Sequence, residues 1–187
     1  MLDLRDVAID EERRVGAVGS GLPLLLDLLR GERIAAASGS LAVAELCFEI
    51  ALAWSDRRRI SDRPLLQHQT VAHRLAALQS DLAAARAFVA ERIELAQRGR
   101  MSSADAAQAK YVLARLAWRA ADEALQLVGG HGFMEETSLA RLWRDVRMLR
   151  IGGGTDEVQL EIAAQALRPG PLADHDFVRE VVAVADG

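Results

Sequence analysis

The stretch SSADAAQAKYVLARLAWRAADEALQLVGG, residues 102–130, decides the fold of this chain. Its apolar residues recur every three or four positions, as the buried stripe of an amphipathic helix does. The stripe consists of Leu113, Leu116, Ala120, Ala124 and Leu127. Ser102 or Ser103 can cap the N-terminus with Asp105 in the first turn, and Gly129-Gly130 ends the helix. The stretch therefore predicts a long helix with one buried side.

The same spacing predicts two more long helices. The first begins at about Pro23 and carries Leu41, Ala44, Phe48 and Ala51 on one face. The second carries Leu75, Leu78, Leu82, Ala85 and Val89. We expect it to begin at Pro64, since proline suits a first helical turn, and to end near Gly99. Shorter helices are expected over 137–149 and 155–167, the latter capped by Thr155. Long helices with short connections favour an all-α fold, an antiparallel up-down four-helix bundle.

The residues before the bundle have a different pattern. Leu2, Leu4, Val7 and Ile9 alternate loosely with charged residues, which indicates a short strand or extended arm, and glycines follow it. A lone strand cannot satisfy its own backbone, so the arm is disordered, folded onto the bundle or paired with another chain. We divide the chain into an extended arm and linker at 1–21, a helical domain at 22–168 and a tail at 169–187, which can hold one more weak turn of helix.

Composition narrows the class of protein. The 187 residues are 51% apolar and only 4% aromatic, and the net charge of −4 disfavours nucleic-acid binding. The most apolar run, 34–54, contains Glu45 and Glu49, so we expect a bundle helix and no membrane span. No signal peptide is evident, and the expected location is cytoplasmic. Cys47 is the only cysteine and is expected to pack as a small apolar residue.

Several site types find no support in the sequence. No Glu-x-x-His pair is present for a di-iron bundle site, and the four histidines lack zinc spacing, so we expect no metal site. Gly152-Gly153-Gly154-Thr155 lacks the lysine of a phosphate loop. Gly129-Gly130-His131-Gly132 follows a predicted helix and not a strand, unlike a dinucleotide-binding fingerprint.

Six short motifs occur in a fixed order along the chain. They are Gly31-Glu32-Arg33-Ile34, the block 54–69 with Arg58, Pro64 and Gln69, then Lys110, Gly129-Gly130-His131-Gly132-Phe133, Arg144-Asp145 and Gly154-Thr155. Together they resemble the C-terminal helical domain of the acyl-CoA dehydrogenase family, up to about Arg168. The arm would then be the remnant of a β-domain strand. Ser61 and Asp62 depart from the pattern, since the family has a Phe-Gly pair there.

The resemblance implies a role for several residues in binding FAD, which would be shared with a partner chain. Arg58 and Gln69 would lie against the adenine and pyrophosphate end of a flavin held mainly by another subunit. The remaining positions that it implies are Gln126, Gly129 and Gly130 across the subunit interface, and Thr155 and Glu157 near the flavin.

Simpler roles remain open for the same residues. Arg58 can be one of a solvated arginine cluster, 57–59, at a helix end. Gly129 and Gly130 can serve as a helix C-cap. Arg144 and Asp145 are expected to form a structural ion pair.

The catalytic base is the largest departure from the family pattern. The family usually carries a glutamate just before the Gly-Thr pair, and Gly153 stands there in this chain. Some members place the base on the first helix, and Glu32 falls at that position. A carboxylate can remove a proton alpha to a thioester if desolvation raises its pKa. Glu32 is therefore the candidate base, although exposed helical glutamates are common, and Arg33 would orient substrate or stabilise the helix.

Two functions are compatible with the sequence. The chain can be a helical-domain subunit or fragment of an FAD-dependent acyl-CoA dehydrogenase that desaturates an acyl thioester. Alternatively, it is a catalytically lapsed relative that acts as an assembly or binding module or serves non-redox chemistry. Under either hypothesis we expect association, as a homodimer, a homotetramer or a complex with a complementary subunit.

Overall fold

The computed structural model describes residues 3–168 and 175–183 of the chain. Its three long helices are α1 (Gly21–Arg57), α2 (Gln69–Gln97) and α3 (Ser103–Val128). The shorter ones are α4 (Gly130–Phe133), α5 (Ser138–Leu149), α6 (Asp156–Ala164) and α7 (Asp176–Ala183). A two-stranded hairpin, β1 (Arg59–Ile60) and β2 (Arg63–Pro64), joins α1 to α2. The all-α prediction is confirmed.

The centre of the bundle is α3, which contacts α1, α2, α5 and α6. The helix is buried on several sides and not only along the stripe that the sequence predicts. The additional buried positions of α3 are mostly alanines. Its buried residues include Ala106, Ala107, Ala109, Leu113, Ala114, Leu116, Ala117, Ala120, Ala121, Ala124 and Leu127. The most extensive contact of α3 is with α1, which also buries small residues there: Ala37, Ser40, Ala44, Cys47, Ala51 and Ser55. Small side chains let two helix backbones approach closely while leaving little void between them.

The start of α3 carries the cap that the sequence predicts. Ser102 accepts a hydrogen bond from the backbone N–H of Asp105, and the carboxylate of Asp105 accepts one from the backbone N–H of Ser102. Arg92 on α2 donates to the same carboxylate at 2.7 Å. Burial would raise the pKa of Asp105, but the Ser102 hydrogen bonds and the Arg92 charge outweigh it and lower that pKa. The cap therefore also ties α2 to α3.

The start of α2 differs from the expectation. The prediction of a helix from Pro64 is wrong, since Pro64 lies in β2 and α2 begins at Gln69. Ser61 and Asp62 form a two-residue turn with φ of 50° and 61°, the twist that closes a tight hairpin. A 3-10 turn, Leu65–Gln67, follows, and the N–H of Leu65 bonds the carbonyl of Arg58. These local bonds replace the first helical turn.

The N-terminal arm contains no strand among its described residues. Leu4, Val7 and Ile9 are exposed, so this part of the arm does not pack on the bundle, and its pairing with another chain stays a prediction. In the tail, part of which lies outside the described residues, α7 supplies the expected helical turn. The boundaries of 1–21, 22–168 and 169–187 stay predictions.

The length and apolar composition of α1 would also suit a membrane span, and 33% of its most apolar window is buried. A core helix of a soluble protein meets the same criteria. The expectations of no membrane association and a cytoplasmic location stay predictions.

Candidate functional site

A glycine-rich turn between α5 and α6 forms one half of the candidate site. Gly153 and Gly154 have φ of +65° and +99°, a backbone conformation that favours glycine. Lys110, which is 3% exposed, donates to the carbonyls of Leu149 at 3.1 Å and Gly154 at 2.7 Å. Burial, followed by the nearby charge of Arg33, lowers the pKa of Lys110, although acidic neighbours counteract part of the shift. One ammonium group from α3 therefore fixes both ends of the turn.

Gln159 holds the same turn from α6. Its Nε2 donates to the carbonyls of Gly153 at 3.2 Å and Gly154 at 3.0 Å. A Cβ atom on Gly154 would lie 2.6 Å from that nitrogen, so a larger residue there would displace Gln159. The turn is thus fixed by buried side chains from two helices.

Glu32 on α1 lies directly against this turn. Its Oε1 atom is 3.2 Å from the position that a Cβ atom would take on Gly153. The structure thus brings together the candidate base and the position where the family usually has its glutamate. Both residues line a cavity of about 190 Å³, together with Arg33, Ala36, Lys110, Met148, Leu149 and Gly152.

A buried carboxylate anchors the turn to α6. Asp156 is 6% exposed and accepts from Arg150 Nε at 2.8 Å and from Arg115 Nη1 at 3.4 Å. A buried carboxylate is tolerated when charged donors satisfy it, as the two guanidinium groups do here. Sequence reasoning did not identify Asp156 as a site residue. Its position directly after the cap residue Thr155 places a carboxylate in the first turn of α6, and this could have indicated a structural role.

Thr155 and Glu157 lie at the start of α6. The Thr155 oxygen accepts from the backbone N–H of Val158, which confirms the predicted N-cap. A hydrogen bond from Thr155, followed by a backbone hydrogen bond and the charges of Arg150 and Arg147, lowers the pKa of Glu157. Glu157 is exposed and Thr155 is half-buried, so Glu157 is the more accessible of the two to a ligand or to another chain.

The second half of the site is a groove where α1 and α3 end. Two adjoining cavities of about 580 Å³ and 470 Å³ share Trp54, Arg58, Val128 and His131 as lining residues. The Trp54 and His131 rings stack with centroids 5.1 Å apart. The groove therefore combines aromatic surface with an exposed guanidinium group.

The structure places three of the predicted flavin-binding residues in this groove. Arg58, Gly129 and Gly130 all line the smaller cavity. A Cβ atom on either glycine would meet no atom within 4 Å, so open space lies over this backbone. Gly129 ends α3 with φ of +69°, which confirms its C-cap role, while its contact with flavin stays a prediction. Gln69 and Gln126 are exposed and line neither cavity.

The two halves lie at opposite ends of the bundle. Glu32 and Arg58 are 26 residues apart along α1 and its cap, which is about 39 Å at the rise of an α-helix. The two halves of the site are therefore far apart within one chain.

The expected ion pair between Arg144 and Asp145 is wrong. Arg144 bonds Glu135 at 3.2 Å and 3.3 Å. Successive residues of a helix point in different directions, so adjacent charges on α5 do not face each other.

The comparisons with known proteins agree with this architecture. Residues 19–168 match the family model described as the acyl-CoA dehydrogenase C-terminal domain. The chain is 35% identical over 166 residues to a short-chain-specific acyl-CoA dehydrogenase of Megasphaera elsdenii, covering 89% of this chain and 43% of the relative. It is 33% identical over 186 residues to an acyl-[acyl-carrier-protein] dehydrogenase of Mycobacterium tuberculosis, covering 97% and 46% respectively.

Solved structures show the same relationship. Butyryl-CoA dehydrogenase from Megasphaera elsdenii superposes with a TM-score of 0.83 at 34% identity, covering 87% of this chain and 42% of the other. An acyl-CoA dehydrogenase from Geobacillus kaustophilus gives a TM-score of 0.80 at 33% identity, covering 83% and 41%. The chain thus spans less than half the length of the proteins it matches.

Proposed function

The chain belongs to the acyl-CoA dehydrogenase family, and on that premise we propose that it forms the helical part of an FAD-dependent enzyme that desaturates an acyl thioester. The observation that carries this proposal is the position of Glu32. Its carboxylate oxygen lies 3.2 Å from the Cβ position of Gly153, where the family usually carries its base. A carboxylate from α1 therefore reaches the space that the missing glutamate leaves.

The proposed chemistry for this chain is proton removal. The Glu32 carboxylate takes the proton from the α-carbon of the acyl group and becomes a carboxylic acid, while the α–β bond becomes double. Bound FAD would supply the acceptor for the hydride that leaves the β-carbon. Lys110 and Gln159 keep the glycine turn against Glu32 and thereby fix the wall of the site.

The groove at the other end of α1 fits part of a dinucleotide. No carboxylate of the described residues pairs with Arg58, so its guanidinium group can bind a pyrophosphate in a bidentate manner. The open backbone at Gly129 and Gly130 admits a close approach. The Trp54–His131 stack offers an aromatic surface near the place where the family's Phe-Gly pair is replaced by Ser61 and Asp62.

The distance between the two halves supports a shared flavin. One chain would supply Glu32, Thr155 and Glu157 to one flavin, and Arg58, Gly129 and Gly130 to another. A homodimer, a homotetramer or a complex with a complementary subunit meets this condition. The first turns of α1 also expose apolar side chains that an assembly would cover: Leu22, Leu24, Leu25, Leu26 and Leu28.

A second candidate is a catalytically lapsed member of the family that serves as an assembly or binding module. Two observations favour it. Gly153 offers no side chain for catalysis, and Ser61 and Asp62 stand where the family has its Phe-Gly pair.

A flavin titration separates the two candidates. FAD is added to the purified chain, and binding is followed by the visible absorbance and by quenching of the flavin fluorescence. We expect weak but saturable binding that Arg58→Gln reduces at least tenfold, because that substitution removes the pyrophosphate donor. Arg98→Gln, at the exposed end of α2, is the matched control and should leave binding unchanged. Equal binding in Arg58→Gln would favour the lapsed module, whereas no saturable binding would mean that the flavin site has lapsed or needs a complementary subunit.

A further inference from the structure

Arg33 is a buried cation with an incomplete set of partners. The residue is 6% exposed, and its Nε atom has no hydrogen-bond partner among the described residues. No ion pair or hydrogen bond within 3–168 and 175–183 reaches the rest of its guanidinium group. Burying the Nε–H donor of Arg33 without a partner is unfavourable. Such a donor therefore points to a ligand that satisfies the group.

The space for a ligand lies beside it. Arg33 lines the cavity of about 190 Å³ that extends to Gly153. Gly153 contributes no side chain, and the hydrocarbon parts of Ala36, Met148 and Leu149 form the apolar wall. The cavity is therefore large enough for a small polar group with a short apolar stem.

The charges around the cavity leave an excess of positive charge. The ammonium group of Lys110 already donates to two carbonyl groups, and its charge remains. The carboxylate of Asp156 is held by Arg150 and Arg115. Glu32 is then the one carboxylate among the lining residues, against the two cations Arg33 and Lys110.

We propose that this cavity is an anion-binding subsite, in which the guanidinium group of Arg33 binds the carboxylate of a small carboxylic acid, either free or at the end of a short acyl chain. A guanidinium group presents parallel N–H donors that match the two oxygens of a carboxylate. Gly153 provides the room, and Lys110 adds charge without competing for the ligand. The acyl form of the ligand rests on the proposed function, whereas binding of a free carboxylate does not.

The test observes Arg33 directly. The Nε–H signal of Arg33 in an ¹⁵N–¹H NMR spectrum of the full chain is assigned by its loss in Arg33→Gln. Sodium acetate is titrated at constant ionic strength, with acetamide as the neutral probe of the same shape. We expect a saturable shift of the Arg33 signal with acetate and at least tenfold weaker binding of acetamide.

Three results would overturn the subsite. They are a linear response without saturation, an equal response to acetamide, and an equal response of the exposed Arg98 signal. The acetate titration is carried out on the wild-type chain, and the variants serve only to assign the Arg33 signal. If Arg33→Gln folds poorly, Arg33→Lys provides a second assignment. No flavin is present, so failure here is separate from failure of the dehydrogenase proposal.

A second pair of probes distinguishes the two sources of the carboxylate. Succinyl-pantetheine and butyryl-pantetheine are thioesters of similar length that differ in a terminal carboxylate. At least tenfold tighter binding of the succinyl compound, lost in Arg33→Gln, would support an acyl-chain carboxylate as the ligand. Equal binding of the two would overturn that form and restrict the subsite to free carboxylic acids.

Discussion

The Oε1 atom of Glu32 lies 3.2 Å from the position that a Cβ atom would take on Gly153. Two different elements thus meet at one point, since Glu32 lies on α1 and Gly153 lies in the turn before α6. A side chain at 153 and the present position of Glu32 compete for this space. Glycine at 153 and glutamate at 32 are therefore linked features of one site.

The effect of a side chain at position 153 can be measured as a change in the free energy of unfolding. We expect Gly153→Ala to lower the free energy of unfolding by about 1–2 kcal/mol, because a non-glycine residue is strained in the left-handed region. The new Cβ atom would also press on Glu32. Gly39→Ala is the matched control, since Gly39 lies in α1 with open space around it. That control should stabilise the chain by roughly 0.5–1 kcal/mol in urea unfolding. Stabilisation by both substitutions would contradict the strained turn.

The sharing of one flavin between two copies predicts complementation. Glu32→Gln and Arg58→Gln should each reduce dehydrogenase activity, because each removes one half of every site. Mixing the two variants under conditions of subunit exchange should restore part of the activity, since a mixed pair contains one intact site. The measurement is the desaturation rate of the mixture against the two separate variants. Activity equal to their mean would mean that the two halves do not act on the same flavin.

Lys110 is the only lysine in the chain, so its titration can be followed without overlap. We expect its ¹³Cε signal in the folded protein to titrate below the ordinary lysine pKa of about 10.4, because burial disfavours the charged form. Between the folded and unfolded pKa values the unfolded chain binds more protons, so this contribution to stability rises with pH. A titration at or above the ordinary value would contradict the buried placement.

Removal of the Lys110 ammonium group tests its hold on the glycine turn. Lys110→Met should destabilise the chain by about 1–3 kcal/mol, because the carbonyls of Leu149 and Gly154 lose a buried donor. The difference in stability between wild type and variant should also grow in favour of the wild type as pH rises towards about 10.4. A difference independent of pH would show that Lys110 does not titrate differently in the folded state.

Cys47 offers a probe of bundle opening. It is fully buried in α1, and burial raises the pKa of its thiol to about 11. We expect a thiol reagent at neutral pH to react only through opening of the fold, so urea should accelerate the reaction in parallel with unfolding. Rapid reaction of the folded chain would contradict the close packing of α1 on α3.

The helices could be predicted because their signals are local. The apolar spacing of α3, the Ser102–Asp105 cap and the Thr155 cap depend on residues a few positions apart, and all three are confirmed. The prediction at Pro64 failed because a hairpin with strands of two residues is too short to show alternation.

The site depends on contacts that sequence reasoning could not supply. Lys110 bonds backbone carbonyls 39 and 44 residues away. Every residue has a backbone carbonyl, so the residue types do not show which carbonyls it will reach. Burial of Arg33 likewise follows from the packing of α1 and not from its neighbours in sequence. The choice of Glu32 as candidate base came from the family resemblance, and its place beside Gly153 is seen only in the structure. The roles of Gln69 and Gln126 stay predictions.

The most direct test of the account is flavin reduction in the native assembly. The complex would be purified from its natural host through a tag on this chain, and its visible flavin spectrum followed after addition of an acyl thioester. The account predicts that the flavin band bleaches in wild type and in the control Glu49→Gln, another exposed glutamate of α1. Bleaching should slow by about 100-fold or more in Glu32→Gln, since a positioned acid–base group contributes at least that factor. An assembly without flavin, or a Glu32→Gln complex that bleaches at the wild-type rate, would contradict the assignment of Glu32 as the base.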